Sequence, residues 1–401
     1  MDVRSTLRDL TLMSASTITI IGTTVIAASL PQMTVAYAAE PHSAYLVKVA
    51  LTLPALAAAI SALFTGWAID RWGRKPILIA ALALYGVAGA SGFFIESLHL
   101  LLLSRFALGW SIAAIMACAT TLIADYAQRA KLGGAMGRQS LFMALGNILF
   151  VFLGGVLASF HWRWPFLIYL IAFAILPGVL WLVREPEPTR APVADAASPR
   201  LRLGADTGLA FALICAMGFI NMVAYFMVPV YLPFHLRGFE NSSSVRVGLL
   251  LAVVGLAWGA SSLTYRWVGQ RLRHARILAL GFGLSGGGLI ALGLATDYPQ
   301  ACAALVLIGL GLGMNVPNFN AWLLSIVPAP VKGKAVGLLV CSVFLGQFFS
   351  PVLTQPIVAG AGIAHAYAVA GGAVVALAAA VSLIVSARAA PAARERAVSE
   401  R

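Results

Sequence analysis

The side chains that could do chemistry in this sequence are few, and they stand out because the chain around them is apolar. Residues 66–75, GWAIDRWGRK, place one acid and three basic residues within six positions, directly after a long run of apolar residues. Asp70 and Arg74 of this segment could take part in an ion pair that is made and broken as helices move. Arg105 lies alone inside another apolar run, where a guanidinium could serve proton coupling or contact an anion.

A second set of polar and aromatic side chains lies near the centre of apolar runs. Such positions suit a small-molecule site, which is typically apolar with a few convergent polar groups. The alternative for each residue is a hydrogen bond between helices, worth about 0.6 kcal/mol on average. The candidate substrate-binding residues are Asn147, Asn221, Tyr225, Trp258, Asn315, Asn318 and Gln347.

The elements that must position these residues are membrane-spanning helices. The chain has 401 residues, of which 61% are hydrophobic and 10% charged, whereas soluble proteins carry about 25% charged residues. A helix crosses the hydrocarbon core with about 20 apolar residues, and lipid leaves its backbone no other partner than itself. Runs of about that length cover residues 11–32, 46–69, 77–95, 100–124, 139–158, 165–183, 208–234, 247–265, 277–295, 301–327, 335–358 and 365–386. We therefore predict an all-α membrane protein with twelve transmembrane helices.

The basic residues lie on one side of these predicted helices. With the N-terminus inside, 22 of the 27 Lys and Arg residues fall in inner segments, and Arg105 alone falls well within a helix. The outer side holds Arg163, Arg237, Arg246 and Lys48, which is counted there because it stands at the outer start of its run. An excess of basic residues in short loops marks the cytoplasmic side. The net charge of +13 therefore reports topology and excludes nucleic acid as a partner. We expect a multi-pass protein of the bacterial inner membrane with both termini in the cytoplasm.

The sequence is organised as two related halves. Residues 184–207 are rich in Pro, Ala and charge and predict a cytoplasmic linker between residues 1–183 and 208–386, with a cytoplasmic tail at 387–401. Two six-helix repeats are an architecture of secondary transporters, with the substrate site near the midplane between them. A shift of 200 residues superimposes Gly109 on Gly309, Gly137 on Gly337, Gly146 on Gly346 and Asn147 on Gln347. We predict two pseudo-symmetric six-helix bundles.

Two motifs connect the chain to a known family. Residues 66–75 match the pattern GxxxDRxGR[KR], and Leu101, Arg105 and Gly109 follow the spacing LxxxRxxxG. On these motifs and on the layout of six helices plus six, nearly the whole chain resembles the major facilitator superfamily. The resemblance implies a transporter that works by alternating access.

The resemblance also implies roles for individual residues. In the family, the loop closes the two halves together on the cytoplasmic side, and its second arginine pairs with an acid at the inner end of the fourth helix. That acid is Asp125 here. Arg105 matches the motif residue implicated in proton coupling. The gating residues are then Gly66, Asp70, Arg71, Gly73, Arg74 and Asp125, and we expect the ion-pair cluster to assemble when the cytoplasmic side is closed.

The chain departs in two respects from the drug and proton antiporters of this superfamily. Members that expel cationic drugs commonly carry a membrane-buried carboxylate, whereas none of the fourteen acids here lies well inside a predicted helix. Their fifth helix typically reads GxxxGPxxGG, but Phe150 and Val151 replace the central Gly-Pro here. We expect proton-coupled efflux of drugs or metabolites. The alternatives are transport of an anionic metabolite or siderophore-like compound through Arg105, and a transporter-like sensor or scaffold.

Covalent, metal and nucleotide chemistry find no support in the sequence. The four cysteines lie in apolar runs without CxxC spacing, and no Walker-type phosphate loop is present. Ser285 and His365 could imitate the dyad of an intramembrane protease, but Ser285 lies among glycines typical of helix packing. We expect no enzymatic activity, no cofactor and no metal. The expected partners are a small-molecule substrate, protons and the lipid bilayer, and we expect a monomer.

Overall fold

The computed structural model describes residues 3–127, 132–185, 205–328 and 331–399, which are helical throughout and contain no strand. Residues 186–204, which hold most of the predicted linker, lie outside these ranges. The helices are α1 (Val3–Ile21), α2 (Leu30–Ala36), α3 (Ser43–Trp72), α4 (Arg74–Ser91), α5 (Leu98–Tyr126), α6 (Leu132–Phe160), α7 (Ile171–Leu182), α8 (Ala205–His235), α9 (Ser244–Arg271), α10 (His274–Leu294), α11 (Tyr298–Ile326) and α12 (Lys332–Ser399).

The helices form twelve spans. In the described ranges, nine helical segments are long and apolar enough to cross a membrane. α1 and α2 together make the first span, and α4 makes the third. α12 holds two spans, because Gly362 (φ 85°) interrupts its helical backbone, and it continues to Ser399 through the segment predicted as a tail. The predicted twelve-helix membrane fold is confirmed.

The first span is broken, whereas the sequence predicted one continuous helix. α1 ends at Ile21, residues Ala27–Ser29 form a 3₁₀ turn, and α2 begins at Leu30. Pro31 lies in the first turn of α2, where its missing N–H does no harm; inside a continuous helix its ring would clash with the carbonyl four residues earlier. The Thr24 hydroxyl lies 3.4 Å from the Ile20 carbonyl, a local bond that competes with the helix ladder.

The two halves repeat a packing detail at the positions that the 200-residue shift relates. Gly109 of α5 lies so close to the Pro54 backbone of α3 that a Cβ would overlap it. Gly309 of α11 lies against α9 in the same way, and a Cβ there would be 2.6 Å from the Val254 carbonyl oxygen. Small residues allow membrane helices to approach this closely. Gly109 and Gly309 therefore pack on Pro54 and Val254, which are also 200 residues apart, so the two halves share this helix contact.

Buried tyrosines fasten outer spans to central ones within each half. The Tyr85 hydroxyl on α4 donates to the Ile18 carbonyl oxygen at 2.6 Å, and the Tyr367 hydroxyl on α12 donates to the Met227 carbonyl oxygen at 3.2 Å.

We call the end of the bundle that carries residues 70–75 the basic end. The end at which α3 and α9 begin is called the opposite end.

Candidate functional site at the interface of the two halves

Glycines join the two halves at the opposite end. A Cβ built on Gly155 of α6 would lie 2.6 Å from the Ser244 carbonyl oxygen and 2.8 Å from the Gly248 Cα of α9. The two helices therefore touch backbone to backbone. Gly154, the other glycine of this pair in the fifth span, packs in the same manner on the Val25 carbonyl oxygen of the first span. Gly154 and Gly155, the pair with which the fifth-helix pattern GxxxGPxxGG ends, thus both lie in close contacts between helices.

A hydrogen bond joins the halves at the same end on the other side of the molecule. Lys48 Nζ of α3 donates to Gln355 Oε1 of α12 at 2.9 Å. Lys48 and Gly248 are 200 residues apart, and so are Gly155 and Gln355. The two contacts that close the opposite end are therefore pseudo-symmetry mates, one made of two glycines and the other of a lysine and a glutamine.

The helices diverge towards the basic end. Cys341 Sγ of α12 lies 3.7 Å from the Ala59 carbonyl oxygen, but Gly337, one turn nearer the basic end on the same face, has no atom within 4 Å of its Cβ position. On the other side, Gly255 of α9 is 3.4 Å from Asn147 at its Cβ position, whereas Gly259 has nothing within 4 Å. The halves are thus closed at the opposite end and open at the basic end.

A polar and aromatic cluster lies where the helices begin to separate. Asn147 of α6 faces Gly255, and its Oδ1 lies 3.4 Å from the hydroxyl of Thr24 in the break of the first span. Trp258 lies less than one turn further along α9 and packs edge to face on Tyr225 of α8, with ring centroids 5.5 Å apart. Three of the seven candidate substrate residues are therefore brought together beside the interface, on three different helices.

The other candidates lie elsewhere. Asn315 Nδ2 donates to Asn221 Oδ1 at 2.9 Å, and both side chains are buried inside the second half. Asn318 accepts from the Tyr265 hydroxyl at 3.1 Å and donates to the His274 carbonyl oxygen at 2.9 Å, which ties α10 to α11. Gln347 keeps a buried Oε1 without a hydrogen-bond partner among the described residues. It lies on α12, two turns before Gln355 on the same face.

One ion pair of the charged loop is present even though the basic end is open. Arg74 Nε lies 3.3 Å from Asp125 Oδ2, and Gly73 supplies the positive φ of 86° that turns the chain from α3 into α4. The sequence predicted that Asp70, Arg74 and Asp125 come together on closure, whereas the Arg74–Asp125 pair already joins α4 to α5 in the open arrangement. Asp70 and Arg71 are exposed, and the Cβ position of Gly66 has no atom within 4 Å.

Glu185 also belongs to this loop, although its place in the sequence assigned it to the linker. Its carboxylate accepts from the backbone N–H groups of Arg74 at 2.8 Å and Lys75 at 2.7 Å. These are unsatisfied donors of the first turn of α4, where the helix dipole favours a negative charge. No residue pattern marks a helix cap that is more than 100 positions away in sequence.

Glu185→Gln is therefore expected to weaken the start of α4. Glutamine offers one acceptor oxygen instead of two and no charge, a loss of about 1 kcal/mol. We expect the midpoint of thermal unfolding in detergent to fall by about 2 °C. Glu240→Gln changes an exposed acid in the loop before α9 and serves as the control. Equal midpoints for the two variants would contradict the cap.

Arg105 is enclosed within the first half. Its side chain is 0% exposed, and one guanidinium nitrogen donates to the Ala88 and Gly89 carbonyl oxygens at 2.9 and 2.8 Å. The guanidinium carbon also lies 4.9 Å from the Phe166 ring centroid and 5.1 Å from that of Tyr169. Arg105 thus satisfies carbonyls in the last turn of α4, at the negative end of its dipole.

Comparison with known proteins agrees with this architecture. The model of the family described as Major Facilitator Superfamily matches residues 12–258 and 214–400. The chain is 23% identical over 314 residues to the multi-drug resistance efflux pump PmrA of Streptococcus pneumoniae, covering 77% of this chain and 78% of PmrA. It is 33% identical over 124 residues to Multidrug resistance protein 1 of Bacillus subtilis, which covers 31% of this chain and 32% of that protein.

A solved structure shares the fold. The inward-open xylose transporter XylE from E. coli superimposes with a TM-score of 0.75 and 15% identity, covering 93% of this chain and 94% of XylE. At that identity the likeness shows the fold alone. Two packed six-helix halves, a charged loop that begins the third span, and a family model matched across both halves lead to one assignment: this chain belongs to the Major Facilitator Superfamily.

Proposed function

We propose that this protein exports small organic molecules, drugs or metabolites, across the bacterial inner membrane by alternating access, in exchange for protons. The observation that carries the proposal is the interface itself, which is closed at one end, open at the other and lined at its centre by a polar and aromatic cluster. The excess of basic residues supports a cytoplasmic location of the basic end and of both termini. The open end of the interface then faces inward.

The central cluster suits an apolar, partly aromatic molecule. Trp258 and Tyr225 offer ring faces and edges, and Asn147 offers an amide within reach of the same space. A site of this composition fixes orientation with few polar contacts and tolerates varied apolar shapes. The names of the efflux-pump relatives support export of such compounds. Arg105 contributes little to an anion site in this arrangement, because it is enclosed within the first half.

In the proposed cycle, the charged loop acts on the return to the outward-facing state. The Arg74–Asp125 pair keeps the start of α4 in place, and exposed Asp70 is free to meet the second half when the basic end closes. Gly66, which now faces open space, allows that close approach. The cycle needs no partner subunit, and we propose a monomer.

Trp258→Ala is expected to slow dye export about tenfold, since a lost aromatic contact of about 1.5 kcal/mol corresponds to that factor. Efflux-deficient bacteria loaded with ethidium or Hoechst dye would be followed with and without the protein, and a protonophore would be added partway. We expect the protein to speed dye loss and the protonophore to abolish the effect. Asp70→Asn is expected to lose export as well.

The matched control is Trp267→Ala, an exposed tryptophan on the same helix near its basic end. It is expected to export dye within about twofold of wild type, because its side chain is exposed and lies nine residues beyond Trp258 on α9. Unchanged dye retention with well-expressed wild-type protein would overturn drug export and favour the anionic substrate. Dye export that survives the protonophore would overturn proton coupling.

A further inference from the structure

Lys48 is an ionisable side chain buried between the two halves. The side chain is 6% exposed, and its Nζ lies 2.9 Å from Gln355 Oε1, 4.9 Å from the Tyr231 ring centroid and 5.3 Å from the Phe234 ring centroid. These partners belong to α12 and α8 of the second half. In the described part of the chain, no carboxylate pairs with Lys48. A positive charge on Lys48 would therefore have only one neutral amide and two ring faces to stabilise it.

The environment of this charge is tied to the transport cycle. Lys48 and Gln355 form one of the two contacts that close the opposite end, so opening that end separates them and admits water to the ammonium. Closing the end removes the water again. Burial in a medium of low dielectric favours the neutral amine over the ammonium. The same movement that switches access therefore changes the proton affinity of Lys48.

None of the neighbouring groups named here is a charged partner for Lys48, so the charge of its side chain depends on whether the amine binds a proton. From α8 the titratable neighbour is Tyr231, whose hydroxyl is bonded to Thr354 of α12. From α12 the contact is neutral Gln355. The acids of the sequence lie at or beyond the ends of the predicted apolar runs, so the membrane interior offers no carboxylate for coupling. Lys48 is thus an ionisable side chain at the interface that the proposed function has not used.

Two glutamines of α12 lie between Lys48 and the open end. Gln355 and Gln347 are two turns apart on the same side of the helix. Gln347 is half-buried and keeps a buried oxygen without a partner among the described residues. Such an oxygen can hold a water molecule, which needs polar partners of this kind. These glutamines are the polar groups that a proton leaving Lys48 along α12 would meet.

We propose that Lys48 carries the coupling proton of this transporter. The proposal rests on the proposed proton-driven export. With the opposite end open, the hydrated amine takes up a proton from outside and becomes the ammonium. Closure desolvates the ammonium, which returns to the amine and releases its proton along α12 towards the basic end. One proton enters per cycle, and no other bond is made or broken.

The first test compares Lys48→Arg with wild type in proteoliposomes. Arginine keeps a cation that does not lose its proton in proteins. Hoechst accumulation driven by an imposed pH gradient is expected to fall at least about tenfold, and its pH profile to become flat. Lys332→Arg, the same change at the start of α12, is expected to retain wild-type accumulation. A Lys48→Arg protein with the wild-type pH profile would show that Lys48 only holds the two halves together, and it would overturn the proposal.

The second test does not depend on any substrate. The sequence contains five lysines, so protein labelled with ¹³C at lysine Cε gives few NMR signals, and the Lys48 signal is the one missing from Lys48→Arg. In nanodiscs this signal is expected to titrate separately from those of the other lysines, because Lys48 alone, of the lysines that the structure describes, lies buried between the halves. Titration together with the others would overturn the proposal. A separate titration in a wild type that moves no dye would instead overturn proton-driven dye export and leave Lys48 as the proton site.

Discussion

Gly155→Leu is expected to hold the two halves apart at the opposite end and to reduce transport at least about fivefold. A Cβ at this position already falls 2.6 Å from the Ser244 carbonyl oxygen and 2.8 Å from the Gly248 Cα, so a leucine cannot be seated. Overpacking of this kind costs about 1–3 kcal/mol. Only the arrangement closed at that end bears the cost, which shifts the population of the two arrangements by about 5–150-fold.

Distances between spin labels would show the shift directly. In a background without the four native cysteines, one label pair at Ala39 and Glu240 reports on the opposite end, and a second pair at Arg71 and Gln270 reports on the basic end. All four positions are exposed. We expect the first distance to lengthen and the second to shorten in Gly155→Leu.

The control for this variant is Gly287→Leu, the same substitution in α10. Its Cβ position has no atom within 4 Å, so the leucine side chain meets open space. Both distances and the transport rate are expected to match those of the parent protein. If Gly155→Leu also left both distances unchanged, the backbone contact of α6 with α9 would not be what closes the opposite end.

Arg105→Met is expected to destabilise the first half strongly. The substitution removes the donor from the Ala88 and Gly89 carbonyl oxygens, which lie in the core at the end of α4. The Gly89 oxygen then loses its donor, whereas the Ala88 oxygen keeps the Ser91 hydroxyl at 2.8 Å. A buried acceptor without a partner costs about 1–3 kcal/mol. We expect the midpoint of thermal unfolding in detergent to fall by roughly 2–8 °C, and transport to fall with the amount of folded protein.

Two further variants separate charge from geometry. Arg105→Lys keeps the charge but replaces a planar fork by a point donor, so we expect an intermediate midpoint. Arg246→Met removes an exposed arginine whose guanidinium carbon also lies over a ring, 4.5 Å from the Tyr298 centroid, and is expected to change the midpoint little. An Arg105→Met protein with an unchanged midpoint but no transport would assign Arg105 to the transport reaction instead of to the end of α4.

The fold was predictable because its signals are local and repeated. The apolar runs predict where the membrane-spanning helices lie, and the motif at residues 66–75 predicts the family and therefore how these helices are arranged. Gly109 and Gly309 predicted the duplication, and their packing on Pro54 and Val254 shows why glycine stands at both places. The break in the first span lies just before Pro31, a position that suits a helix start. Hydropathy does not mark it, and proline alone does not predict it, because Pro54 lies inside the continuous α3.

The site was predictable only in part, because its contacts join residues far apart in sequence. Asn147, Tyr225 and Trp258 could be selected as polar or aromatic residues at mid-span, but no pattern tells them from Asn221 and Asn315, which bond to each other inside one half. Lys48 was counted among the residues of outer loops. Its burial depends on Gln355, which lies 307 positions away.

The relation of Lys48 to Gly248 and of Gln355 to Gly155 bears on how such a chain could evolve. An ancestor made of two identical six-helix subunits would have carried the same residues at both closing contacts, so any ionisable group there would have been dehydrated twice in each turnover. Fusion of two gene copies removes that constraint. One closing contact can then evolve to two glycines while the other keeps an ionisable lysine. A single substitution at either contact could change the number of ions moved per substrate.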